Sequence, residues 1–139
     1  MRTNRMQLQF DAKSVNEGFA RVAVAAFLAE LNPTLDEIAD VKTAVSEAVT
    51  NAIIHGYKDS SGSVYLNIEY ENNILYLEII DNGIGIENIE EARTPLFSTC
   101  ANSERAGLGF TIMEIFSDKL EIETKKNEGT KIRITKSIC

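Results

Sequence analysis

The stretch SEAVTNAIIHGY, residues 46–57, decides how the chain is read. It places Glu47, Asn51 and His55, the only histidine, four residues apart in an otherwise apolar helical run. At about 100° per residue, Ile38, Val41, Val45, Ala48 and Ala52 gather in one arc with Val49 at its border, the face that packs on a sheet. Glu47 and Asn51 stand roughly 100° or more from the centre of that arc and about 40° from each other. They define a second face, flanked by Ala44 and Ile54, residues that do not suit a surface chosen for water. A solvated i, i+4 pair is the plain alternative for Glu47 and Asn51. For His55 it is a helix-dipole partner or a packed turn residue.

Working outward, Thr34 and Glu37 have the spacing of a capping box that starts this helix, and Gly56 is expected to end it as a C-terminal glycine. A second capping box, Ser14 with Glu17, is expected to open the helix of SVNEGFARVAVAAFLAEL, which Pro33 closes. MQLQF, residues 6–10, alternates apolar and polar positions and reads as a strand. SVYLNIEY and ILYLEII read as strands joined by Asn72-Asn73, which tolerate positive φ in a tight hairpin. A polar, glycine-bearing stretch follows from 81 to about 106, then a short helix from about 108 to 116. KLEIET and TKIRIT form a final hairpin around KKNEG. Helices followed by hairpin-joined strands predict a two-layer α+β sandwich with a mostly antiparallel sheet, in one domain over residues 1–139.

The composition excludes several classes. A chain of 139 residues, 44% hydrophobic and 25% charged, can bury a core without disulfides or metals. A net charge of -7 disfavours a nucleic-acid or anionic-membrane surface, because neither offers an acidic protein counterion release. MRTNRMQLQF lacks the apolar core of a signal peptide, and VAVAAFLA, residues 22–29, is too short to span a bilayer. Cys100 and Cys139 have no metal-ligand or disulfide-framework spacing. A cytoplasmic location is the expectation.

Three further motifs carry chemistry. In EIIDNGIGI, residues 78–86, a strand ends on Asp81 and passes into Gly83 and Gly85, where no Cβ keeps a ligand away. A buried carboxylate there can accept a hydrogen bond from an exocyclic amine, as adenine presents. In SERAGLGFTIMEIF, residues 103–116, Gly107 and Gly109 open a helix whose free amides favour phosphate, and Arg105 adds a cation for terminal phosphate oxygens. NEGT, with Gly129 and Thr130, lies in the last hairpin. Taken singly, each has a plain reading as a β-turn, a helix-capping loop, an exposed arginine or a hairpin turn.

Glu-x-x-x-Asn on a helix, Asp-x-Gly-x-Gly after a strand, Gly-x-Gly opening a helix and Gly-Thr in the last hairpin, in that order, resemble the gyrase, Hsp90, histidine kinase and MutL (GHKL) ATPase superfamily. SEAVTNAIIHGY, DNGIGI and TPLFSTCANSERAGLGFTIME resemble, within it, the bacterial anti-sigma factor kinases, with the sporulation branch preferred over the general-stress branch. The resemblance implies a Bergerat ATP-binding fold, helices on one face of the sheet, and a mobile ATP lid over about residues 94–106, with Cys100 where a polar or basic residue is expected. It implies Asn51 as the Mg²⁺ ligand, Glu47 as general base, Asp81 as acceptor of the adenine amino group and Thr130 as its support. Gly83, Gly85, Thr99, Arg105, Gly107, Leu108 and Gly109 complete the implied ATP site.

The chain carries no second histidine and no dimerisation helix bearing an acceptor histidine, so the resemblance points away from histidine autophosphorylation. It implies an anti-sigma factor that holds a sporulation sigma factor of the F type and phosphorylates a serine of a small anti-anti-sigma partner, with ATP and ADP favouring different complexes. Arg21, on the polar side of the first helix, is the candidate cation for an acidic patch on the sigma factor, or a solvated arginine. A homodimer through the N-terminal strand and sheet edge is implied as well. A binding module that uses ATP only as a switch is the alternative; it needs Asn51 and Asp81 but not Glu47.

Overall fold

The computed structural model describes residues 2–57, 61–86 and 109–138. Strand β1 (Thr3–Asp11) leads into helix α1 (Val15–Leu28), a 3₁₀ turn (Ala29–Leu31) and helix α2 (Leu35–Asn51), which runs on as a π turn (Ala52–Gly56). Strands β2 (Ser63–Glu71) and β3 (Ile74–Asp81) follow, then helix α3 over residues 109–115, and strands β4 (Lys119–Lys125) and β5 (Gly129–Ser137). The sheet order is β1-β2-β3-β5-β4, and every pairing is antiparallel. Because β5 returns beside β3 and not beyond β4, the end of β3 meets the start of β5, with Asp81 opposite Thr130.

Alternation places Val64, Leu66, Ile68 and Tyr70 of β2, Leu75, Leu77 and Ile79 of β3, and Ile132 and Ile134 of β5 on one buried face. Against it pack Ala20, Val24 and Leu28 of α1, Val41, Val45, Ala48 and Val49 of α2, and Phe110 and Met113 of α3. Burial of each large aliphatic side chain here contributes about 1.5–3 kcal/mol. On the other face, Arg133 bridges Glu78 (3.0 Å) and Glu123 (3.4 Å), and Asn67 donates to Glu78 at 3.0 Å. The two-layer α+β architecture is therefore the expected one.

Local signals met different fates. Thr34 is extended, accepts from the Glu37 amide and lets Glu37 accept from its own amide, at 3.1 and 2.9 Å, so this capping box forms. Ser14 forms none: its backbone is already helical, whereas a capping side chain needs an extended residue. Glu17 instead lies 3.5 Å from Arg21. Asn32, left-handed at φ 52°, stops the 3₁₀ turn just before Pro33. Asn72, φ 57°, turns the β2–β3 hairpin.

Candidate functional site

Three polar residues continue inward-facing apolar stripes at one end of the sheet. Asp81 follows Leu75, Leu77 and Ile79; Thr130 precedes Ile132 and Ile134; Thr124 follows Leu120 and Ile122. Register brings them side by side, Asp81 opposite Thr130 and Thr130 opposite Thr124. Asp81 and Thr130 are only 3% and 5% exposed, which no strand end turned to water would show. The Thr124 and Thr130 hydroxyls are 2.9 Å apart, and Thr124 accepts from the Ile86 amide at 2.8 Å. Thr124 thus fastens the glycine turn after β3 to the last hairpin. Motif spacing did not flag it; a threonine ending the Leu120, Ile122 stripe was the available signal.

The Asp81 carboxylate sits where other residues have given up their side chains. A Cβ on Gly56 would lie 2.7 Å from Asp81 Oδ1, and one on Gly83 would lie 1.9 Å from the Gly56 carbonyl oxygen. A Cβ on Gly129, φ 111°, would lie 2.1 Å from the Asp81 carbonyl oxygen, and one on Gly85, φ 73°, would strike Lys125 at 2.2 Å. Gly56 ends the helical run, as expected from sequence, but not with a left-handed backbone. Its φ is not positive; it closes the π turn, and its missing side chain makes room for Asp81. Burial drives the Asp81 pKa from 3.8 up to about 6, while backbone N–H groups of Gly83 and Thr130 act against that rise. The Gly83 bond to Oδ1 measures 2.9 Å.

On α2, Asn51 is buried at 6% exposure and Glu47 is half-buried, so the solvated-surface alternative does not hold for Asn51. A Cβ on Gly109, at the described start of α3, would meet Glu47 Oε2 at 3.1 Å. α3 thus brings its first described turn onto the Glu47 carboxylate. The π turn after Asn51 is itself a feature concentrated at functional sites. Arg21 lies on α1, partly exposed beside Glu17. Thr99, Cys100, Arg105, Gly107, Leu108 and the expected lid fall outside the described residues. A groove of about 550 Å³ on the opposite sheet face, lined by Arg5, Asn67, Glu78 and Arg133 among others, lacks these converging buried polar groups and is not the candidate site.

Comparison with known proteins gives this arrangement a family. The model of the histidine kinase-like ATPase domain matches residues 8–136. An anti-sigma F factor of Anoxybacillus flavithermus is 58% identical over 136 residues, covering 97% of this chain and 93% of that protein. One of Clostridium perfringens is 55% identical, covering 97% of each. The chain belongs to the anti-sigma F factor family of histidine kinase-like ATPases. A crystal structure of the RsbU and RsbW domains of a Mycobacterium tuberculosis protein superposes with a TM-score of 0.71 at 21% identity, over 97% of this chain and 32% of the other. That likeness concerns the fold alone. An ATPase domain of this family binds nucleotide, and no helix among the described residues is long and apolar enough to cross a membrane.

Proposed function

We propose that this protein is an ATP-dependent protein serine kinase that also acts as an anti-sigma factor, holding a sporulation sigma factor of the F type and phosphorylating a small anti-anti-sigma partner on serine. The observation that carries this reading is the buried Asp81 at the end of β3, opposite Thr130 of β5 and against Gly56 of the π turn that continues α2, with Glu47 of α2 against the start of α3. The names of the relatives, anti-sigma F factor, supply the partner class.

In this reading Asp81 accepts a hydrogen bond from the adenine amino group, with Thr130 supporting it. The residues present suit a nucleotide. A buried carboxylate acceptor ends β3, with the missing side chain of Gly56 leaving room for it, while Gly83, Gly85 and Gly129 let neighbouring backbone segments close up at this end of the sheet. Gly109 with Gly107, Leu108, Thr99 and Arg105 serves the phosphates. Asn51 would hold Mg²⁺ through its amide oxygen, and the ion would supply charge neutralisation at the phosphates. Glu47, against the start of α3, takes the proton from the partner's serine hydroxyl as that oxygen attacks the γ-phosphorus; the bond to the bridging oxygen breaks and ADP leaves.

Nucleotide state then selects the partner through linkage, since a ligand that favours one complex is itself bound more tightly there. Arg21 offers a cation to the sigma factor, and the exposed Phe19 and Val22 beside it on α1 supply apolar contact. β1, a nine-residue strand at the edge of the sheet, supports a homodimer paired along that edge. The test is size-exclusion chromatography of the protein with the F-type sigma factor of the same genome. A complex that forms with ATP and weakens with ADP supports the reading; absence of a complex with either nucleotide removes the anti-sigma role.

A further inference from the structure

The strongest unassigned feature lies between the π turn and β3. Tyr57 immediately follows Gly56; its ring is buried, and its hydroxyl donates to the Ser63 carbonyl oxygen at 2.6 Å while accepting from the Asn82 amide at 2.8 Å. The preceding residue makes a parallel contact, because the Gly56 carbonyl oxygen accepts from the Ile84 amide at 2.9 Å. Residues 56 and 57 therefore grip the turn Asp81-Asn82-Gly83-Ile84 at two of its amides, on either side of Gly83. Gly62 packs so close to the tyrosine ring that a Cβ there would lie 2.3 Å from Cε1, which closes off that side of the ring. Tyr57 is fixed, and what it holds is the residue next to Asp81.

We propose that Tyr57 is a positioning residue for base recognition, its hydroxyl holding the Asp81–Asn82 backbone so that the buried carboxylate meets the exocyclic amine of adenine. This rests on the adenine-reading role of Asp81 given above. Hydrogen bonds weaken steeply as donor and acceptor lose alignment, so a carboxylate that must read one amine depends on a fixed backbone beneath it. Phenylalanine at 57 would keep the packing against Gly62 and leave the Gly56–Ile84 bond in place. It would remove only the hydroxyl, leaving the Asn82 amide without its acceptor and the Ser63 carbonyl without this donor.

The test is calorimetric titration of the full chain and its Tyr57→Phe variant, in Mg²⁺, with ATP and with purine riboside triphosphate, which lacks the 6-amino group. The variant is expected to lose about tenfold in ATP affinity and less than about twofold for the analogue, so that discrimination between them collapses. In an Asp81→Asn background, Tyr57→Phe should change ATP affinity by less than about twofold, because the group it positions has been altered. Equal weakening of both nucleotides, unchanged discrimination, additivity with Asp81→Asn, or a phenylalanine variant that does not fold would each overturn the proposal, since each makes the hydroxyl structural or irrelevant. A parent protein that binds ATP and the analogue equally well would instead overturn the Asp81 reading itself, and one that binds neither would overturn the nucleotide site.

Discussion

Gly56 and Asp81 are matched across the two layers: the Cβ that residue 56 lacks would stand 2.7 Å from Asp81 Oδ1 and 2.8 Å from its carboxyl carbon. Gly56→Ala is therefore expected to destabilise the protein by about 1–3 kcal/mol, the usual effect of overpacking a closed site, and to weaken ATP binding by displacing the carboxylate. Urea unfolding measures the first and calorimetry the second. Because the clash is with one side chain, Gly56→Ala should be far milder in an Asp81→Ala background; additive losses would show that the methyl group collides with something else.

Asp81 makes stability depend on pH in a defined direction. Its folded pKa of about 6 lies above the ordinary 3.8, so the folded chain holds its proton more tightly than the unfolded chain. Above about pH 6 the buried charge costs up to about 3 kcal/mol, and the cost fades as pH falls from 6 towards 4. Asp81→Asn should thus be more stable than the parent at pH 7 and nearly equal to it at pH 4, while binding ATP at least about tenfold more weakly. Thermal melts at the two pH values check this, and a stability gap that does not change with pH would contradict it.

Glu47 is assigned to chemistry and not to affinity. Glu47→Ala should bind ATP within about threefold of the parent and transfer phosphate about 10²–10⁴-fold more slowly, the range for loss of a general base. Single-turnover rates beside equilibrium titrations separate the two quantities; undiminished transfer would remove Glu47 from the catalytic role.

Thr124 ties the Ile86 amide to Thr130. Thr124→Val keeps the side-chain volume and removes the hydroxyl, so a loss of about 1–2 kcal/mol in stability is expected, together with a several-fold fall in ATP affinity. Denaturation and titration at one pH suffice to check both.

The fold was readable because its signals are local. The two faces of α2, the Thr34–Glu37 capping box, the Asn72-Asn73 turn and the alternating strands each need only neighbours in sequence, and each formed. Ser14 had the letters of a capping box but not the extended backbone. At the site, Glu47, Asn51 and Asp81 could be singled out by spacing. What surrounds Asp81 was visible only in part: the resemblance pointed to Thr130, whereas Gly56 and Thr124 join this end of the sheet only through the π turn and the β3–β5–β4 pairing, contacts made across long stretches of chain. Gly56 does end the helical run as its position suggested, but that its absent side chain also serves a carboxylate 25 residues later in the sequence required the fold.

The most direct test of the central claim is phosphoryl transfer. The protein, Mg²⁺ and γ-labelled ATP are incubated with the small anti-anti-sigma protein of the same genome, and the labelled residue is identified. The account predicts phosphoserine on the partner, lost with Asn51→Ala. ATP binding without any label on the partner would contradict it and leave the nucleotide as a switch for sigma-factor capture alone.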